Sequence, residues 1–266
     1  MLFTELPLLE RPAAAAAAGF TAVEMWWPWP GTPVPDRTEL DALAVALKRA
    51  GTQLVALNFY AGRLPGPDRG AACVPGEESA RFRANTGIAA AFAGTLGCRA
   101  LNALYGNRVE GADPRHQDEL ALENLALAAR AAADVGAVLL IEALNSAESP
   151  HYPITSSARA ARLADSVNAV TGLDNARLLL DLYHLAVEGE DLAEAIARHG
   201  ARAGHVQIAD APGRGAPGSG SLDFPDVFAR LAKAGYGGWI GLEYRAAPAD
   251  RFTWLRRPPW PYHGAP

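Results

Sequence analysis

Short runs of Val, Ile and Leu recur along the chain, each closed by a polar or Gly/Pro-rich turn and followed by a stretch with apolar residues at helical spacing. Seven such runs predict strands over residues 22–26, 54–59, 100–104, 138–144, 178–183, 205–209 and 239–244. Between them the helical period predicts helices over 39–50, 77–96, 117–135, 157–170, 192–199 and 224–234, and an Ala-rich helix through 13–18 ends at Gly19. Val138-Leu139-Leu140-Ile141 and Leu178-Leu179-Leu180 are apolar without alternation. That is the pattern of parallel strands covered by helices outside and by packed side chains inside.

Strand–helix alternation is compatible with an open doubly wound sheet or a closed barrel, and the two differ in where polar residues gather. A dinucleotide fold concentrates them in a Gly-rich first turn, whereas a barrel spreads them over the C-terminal ends of many strands. No G-x-G-x-x-G follows the first strand, and polar residues close at least four later ones. The pattern therefore predicts an α/β fold of the TIM type, a (β/α)8 barrel, and the 266 residues suit one such domain spanning 1–266. One stave is missing from the count: the first visible strand already follows a helix, so the chain apparently lacks the first strand. Long loops at 28–31, 63–76 and 211–220 are expected to carry function, and the Pro-rich tail at 258–266 to lie on the surface.

Half of the residues are apolar and a fifth charged, enough to bury a large core. The net charge is −5 and no Lys/Arg block occurs, which argues against nucleic acid and against an anionic membrane as partners. Cys73 and Cys98 form no C-x-x-C pair, so both are expected to be plain thiols in a reducing compartment. The apolar run at 12–20 is too short to span a bilayer, and a cytoplasmic protein is expected. The oligomeric state is left open, a homo-oligomer included.

The candidate chemistry sits at strand ends. Leu139-Leu140-Ile141-Glu142 closes an apolar run with a carboxylate, and the pattern returns at Asp181, Gln207 and Glu243. A buried carboxylate needs a cation or hydrogen-bonding partners. Two Glu, one Asp and one Gln offer oxygen ligands that suit Mg²⁺ or Mn²⁺ better than zinc, and no organic cofactor is indicated. A single strand-end carboxylate would be as well explained as a helix cap; four in register point to a metal site. Carboxylates flanking a metal suit proton transfer beside a carbonyl through an enediolate, with Glu142 and Glu243 as the acid/base pair. His184, just past its strand end, is expected to hydrogen-bond a substrate oxygen, although a structural role is the common one for a lone His. Arg214, in a Gly/Pro-rich loop, could grip a substrate carboxylate or be a solvated loop cation. Trp26, Trp27 and Trp29 suggest a wall that excludes water, or equally a surface for a partner subunit.

The segments Gly19-Phe20-Thr21-Ala22-Val23-Glu24, Arg69-Gly70 with Pro75-Gly76, Ile141-Glu142-Ala143-Leu144-Asn145 and Asp181-Leu182-Tyr183-His184 add a resemblance, as do Gly204 to Asp210, Gly213-Arg214 with Pro217-Gly218, and Gly237 to Tyr244. In this order they resemble the hydroxypyruvate isomerase family, one of the xylose isomerase-like TIM barrels. The resemblance implies interconversion of hydroxypyruvate and tartronate semialdehyde, or of a similar small 2-oxo acid. It puts metal-ligand roles on Glu142, Asp181, Gln207 and Glu243. Related ketose 3-epimerases typically carry His where this chain has Gln207, which favours the isomerase; a four-carbon 2-oxo-tetronate isomerase looks similar. Members usually begin with a strand ahead of Met1-Leu2-Phe3. Either the natural chain starts earlier, which is favoured, or the barrel is one stave short with unpaired edges at Val23 and Leu242. A degenerate barrel serving only as a binding protein is the non-enzyme reading, and the intact ligand set speaks against it. A DNA-repair nuclease of this barrel type would need a His-rich metal cluster and a basic face, which six scattered His in an acidic chain do not supply.

Overall fold

A computed structural model describes residues 1–256; the tail at 258–266, expected on the surface, lies outside the described residues. The elements are α1 (Arg11–Ala17), β1 (Ala22–Met25), α2 (Arg37–Ala50), β2 (Gln53–Asn58), α3 (Glu77–Thr95), β3 (Ala100–Asn102), α4 (Pro114–Asp134), β4 (Val138–Glu142), α5 (Ser157–Thr171), β5 (Ala176–Asp181), α6 (Leu182–Val187), α7 (Leu192–His199), β6 (Ala203–Ile208), α8 (Phe224–Lys233) and β7 (Ile240–Leu242). All strand pairs are parallel and follow chain order, β1 through β7, giving a seven-stranded TIM-type sheet among the described residues. Local chemistry sets the helix starts. Asp36 and Glu39 form a capping box on α2, and the side chains of Asp113, Ser156, Asp191 and Asp223 cap α4, α5, α7 and α8.

The predicted strand over 178–183 ends two residues early. Asp181 turns the chain by accepting hydrogen bonds from the backbone N–H of Tyr183 (2.9 Å) and His184 (3.4 Å), so Leu182 and Tyr183 open helix α6. The apolar run continues through Leu182 into Tyr183, so the helix start is set by the Asp181 cap and not by a change in the apolar pattern.

Alternation along the strands builds two layers inside the barrel. Ala56, Ala100, Leu140 and Leu179 form an interior cluster. Two residues further on, Asn58, Asn102, Glu142 and Asp181 end the same strands and are buried in turn. The residues between them, Leu57, Leu101, Ile141 and Leu180, join the larger core under the helices. The missing stave shows as a seam. Every residue of β1 and β7 is only half-buried, while β3 and most of β4 are fully buried, and the sheet order joins β1 to β7 by no ladder among the described residues.

Side chains cross the seam instead. Glu24 of β1 pairs with His205 Nε2 (2.6 Å) and accepts from Gln207 Nε2 (3.1 Å), both on β6, and Trp26 Nε1 donates to Glu243 Oε1 (2.9 Å). Gly241 leaves room for this crossing, since a Cβ there would stand 2.4 Å from the Glu24 carboxylate. Cys73 and Cys98 are free and buried, and burial pushes their thiols up to about 12 and about 11. No helix among the described residues is long and apolar enough to cross a membrane.

Gly241→Ala is expected to cost about 1–3 kcal/mol by overpacking against Glu24. Added to Glu24→Ala, the same change should cost far less. Urea unfolding of both single variants and the double variant checks this, and strictly additive losses would count against the crossing.

Candidate active site

Glu142, His184, Gln207, Arg214 and Glu243 line one cavity of about 440 Å³ at the C-terminal ends of the strands, together with Trp26, Asn58, Arg69, Asn102, Ser149 and Glu148. Asp181 stands behind Arg214 and is buried. All six residues singled out in the sequence therefore converge, four of them because β4, β5 and β6 and the residue after β7 each present a polar side chain at or near the strand's C-terminal end.

Gathering these acids raises their electrostatic cost. Burial, then Glu243 and Asp181, push the Glu142 carboxyl well above the usual carboxylate range, against the N–H that Asn102 donates to it (2.7 Å). Burial likewise raises Asp181, opposed by Arg214 and by the two backbone N–H bonds of α6. Burial would also raise Glu24, but the hydrogen bond and charge of His205 and the Gln207 amide outweigh it and hold Glu24 below its ordinary value.

Arg214 is the counter-charge. Its Nη2 reaches Glu243 Oε2 (2.5 Å) and Asp181 Oδ2 (3.3 Å), its Nη1 reaches Glu148 Oε2 (3.3 Å), and its Nε donates to the Glu243 carbonyl (3.1 Å). It also lies over the Tyr183 ring, 5.0 Å from the centroid. The guanidinium expected to grip a substrate carboxylate thus has its charge taken up by three carboxylates of the protein. The loop that delivers it is rigid: buried Asp210 accepts from the backbone N–H of Gly218 (2.8 Å), Gly220 (2.8 Å) and Leu222 (3.0 Å), and Arg214 itself holds a left-handed φ of 55°.

His184 was expected outside a metal's ligand shell, yet Glu142, Asp181 and His184 bring ligand atoms within 4.8 Å of one another. Its tautomer decides between the roles. The Asn145 backbone N–H (3.1 Å) and side-chain Nδ2 (2.7 Å) both meet Nδ1, and the amide is oriented by Glu148 N donating to Asn145 Oδ1 (2.7 Å). Two donors at Nδ1 leave the proton on Nε2, which stands 3.5 Å from Asp181 Oδ2. Burial and Arg214 lower the imidazole to about 3, so at neutral pH it is uncharged.

Glu243 is not part of the trio of Glu142, Asp181 and His184, its Oε2 meeting Arg214 (2.5 Å) and its Oε1 accepting from Trp26 (2.9 Å). Gln207 donates its Nε2 to Glu24, which turns Oε1 the other way, and that buried oxygen has no hydrogen-bond partner. Asn102 Oδ1 is unpartnered in the same manner. Unpartnered amide oxygens and the carboxylates of Glu142 and Asp181 are the kinds of donor that a hard cation takes.

The three indoles, all just past the end of β1, take different directions. Trp26 faces the cavity, whereas Trp27 donates to the Thr32 carbonyl (2.8 Å) and stacks beside Trp29, which packs on Phe92 of α3. Only one of them walls the site. Sequence reasoning passed over Asn58 and Asn102, although each ends an apolar run as Glu142 does; Glu24, Glu148 and Ser149 carried no local signal of their role.

A parallel sheet with acids and amides converging at its C-terminal mouth defines the class: the chain belongs to the xylose isomerase-like TIM barrel family, whose model matches residues 12–259. Within that class it is a member of the hydroxypyruvate isomerase family. It is 66% identical to a Streptomyces coelicolor protein provisionally assigned as a hydroxypyruvate isomerase, over 96% of this chain and 92% of that one. It is 35% identical to the 2-oxo-tetronate isomerase of Cupriavidus necator, over 99% and 96% of the two chains. A solved Brucella melitensis structure described as an AP endonuclease of family 2 superposes with a TM-score of 0.83 at 35% identity, covering 96% of this chain and 94% of that one.

Asp210→Ala is expected to release the loop at 211–222, because three backbone N–H groups lose their acceptor. Amide exchange at Gly218, Gly220 and Leu222 should accelerate by roughly 10-fold or more. Unchanged protection in a hydrogen-exchange experiment would show that the loop is held by other means.

Proposed function

We propose that this protein is a cytoplasmic, divalent-metal-dependent isomerase that interconverts hydroxypyruvate and tartronate semialdehyde. The reading is carried by the unpartnered Gln207 Oε1, which shares one cavity with Glu142 and Glu243. Glu142, Asp181, Gln207 and Glu243 would hold Mg²⁺ or Mn²⁺. A bound divalent ion supplies Lewis-acid polarisation of the 2-oxo group and its neighbouring hydroxyl.

The chain's own groups move the protons. Glu243 removes a proton from C3 of hydroxypyruvate, giving an enediolate across C2 and C3, and Glu142 returns a proton to C2. The hydroxyl proton passes from the C3 oxygen to the C2 oxygen, so the product differs from the substrate only in hydrogen positions. His184 donates from Nε2 to a substrate oxygen, and Trp26 holds Glu243 through Oε1. Glu24 keeps the Gln207 amide from turning over and offering N–H to a cation.

A four-carbon 2-oxo acid is the second reading, favoured by the 35% identity to the 2-oxo-tetronate isomerase and by a cavity of about 440 Å³, ample for one more carbon. The nuclease description of the Brucella structure finds little support in a chain of net charge −5 with an acid-lined cavity, since DNA binding rests on phosphate contacts by cations.

After EDTA treatment, turnover of hydroxypyruvate should vanish and return on adding Mn²⁺ or Mg²⁺, and Glu243→Gln should lose about 10²–10⁴-fold in kcat. Full activity of the stripped protein would remove the metal, and failure to turn over either 2-oxo acid would remove the isomerase reading. Glu24→Gln should weaken Mn²⁺ binding by roughly 10- to 100-fold in a calorimetric titration; wild-type affinity would deny Glu24 its orienting role.

A further inference from the structure

Three arginines line the cavity: Arg69, Arg214 and Arg245. Two are matched by acids, Arg214 by Asp181, Glu243 and Glu148, and Arg245 by Glu148 at 3.8 Å. Arg69 has no carboxylate within ion-pair distance among the described residues. Its guanidinium is held by neutral oxygens: Nε donates to Ser149 Oγ (2.9 Å), Nη1 to the carbonyls of Gly66 (2.5 Å) and Asp68 (2.7 Å), and Nη2 to the Glu148 carbonyl (3.3 Å).

This cradle fixes the group without cancelling its charge. Nη1 and Nε use all their hydrogens, and Nη2 keeps one. Ser149 is buried, accepts from Arg69, and its own hydroxyl proton meets no acceptor among the described residues. Two donors therefore stand side by side on the cavity wall, one of them on a full positive charge. The backbone below is equally fixed. Gly70 has a φ of 104°, donates to the Ala61 carbonyl (3.0 Å) and bridges to Tyr105, and a Cβ on it would lie 2.1 Å from the Leu104 carbonyl oxygen.

We propose that Arg69 and Ser149 form the subsite that binds the substrate carboxylate, one oxygen on Arg69 Nη2 and the other on the Ser149 hydroxyl. The role first expected of Arg214 falls to the arginine whose charge is unmatched, and Arg214 balances the acids. The inference deepens the 2-oxo acid reading and rests on it: a pair of this kind selects a carboxylate-bearing substrate over an uncharged sugar.

The test uses Mn²⁺-loaded Arg69→Met, Arg69→Lys and Ser149→Ala proteins, with hydroxypyruvate as substrate and glycerate, which cannot isomerise, as a calorimetric ligand. For Arg69→Met, KM for hydroxypyruvate and the dissociation constant for glycerate should both rise roughly 10- to 100-fold, with kcat changed much less. Arg69→Lys should recover part of the loss, Ser149→Ala should show a smaller rise, and Mn²⁺ affinity should not move. Unchanged KM and glycerate affinity in Arg69→Met overturn the subsite, as does a loss of Mn²⁺ binding that accounts for the whole effect. Should Arg69→Met fail to fold, Ser149→Ala, which leaves the three carbonyl contacts of Arg69 in place, decides by the same two measurements. If the wild-type protein turns over no 2-oxo acid, the functional reading fails by itself. Glycerate then still judges the subsite: weaker binding to Arg69→Met supports it and equal binding overturns it.

Discussion

Glu142, Asp181 and Glu243 are brought together in a place that water scarcely reaches, and each ionised carboxylate there costs solvation that something else must supply. Much of the surrounding structure answers that cost. Asp181 is stabilised by two N–H groups of the helix it caps, Glu142 by Asn102, and Glu243 by Trp26 and Arg214. The loop after β6 exists to bring Arg214 into the middle of them, and Asp210 spends its own oxygens on keeping that loop in shape. What remain without a partner are the side-chain oxygens of Gln207 and Asn102.

The seam between β1 and β7 is part of the same economy of charge. Where backbone pairing is absent, Glu24 reaches across to His205 and Gln207 and Trp26 to Glu243, so the residues that close the barrel also orient two residues of the site. Fold integrity and site geometry are coupled there. A change such as Gly241→Ala, made for its effect on packing, acts on the Gln207 amide through Glu24. Around Arg69 the arrangement is inverted: its guanidinium is surrounded by carbonyl and hydroxyl oxygens.

Much of this was legible along the chain because it follows from local pattern. The apolar runs without alternation mark buried parallel strands, and a polar residue closing each run marks the mouth, which is how Glu142, Asp181, Gln207 and Glu243 could be named together. The same rule extended to Asn58 and Asn102 would have found the two amides. Boundaries failed where a side chain decided them, as at Asp181, whose capping turned an expected strand end into helix α6. The three Trp looked alike in sequence, but Trp26 turns to the cavity and Trp27 and Trp29 to the packing against α3.

The sequence by itself determined the barrel, its seven strands and the oxygen-rich ring at their ends, since these depend on periodicities of two and 3.6 and on the types of residue at strand ends. It could not determine which charge meets which. Glu24 and His205 are 181 residues apart, Arg69 and Ser149 are 80 apart, and Arg214 and Asp181 are 33 apart. Pairing at such separations depends on how the strands close around a common axis and on the path of each loop. Only the tertiary structure could therefore show that Arg214 meets three carboxylates while Arg69 meets neutral oxygens.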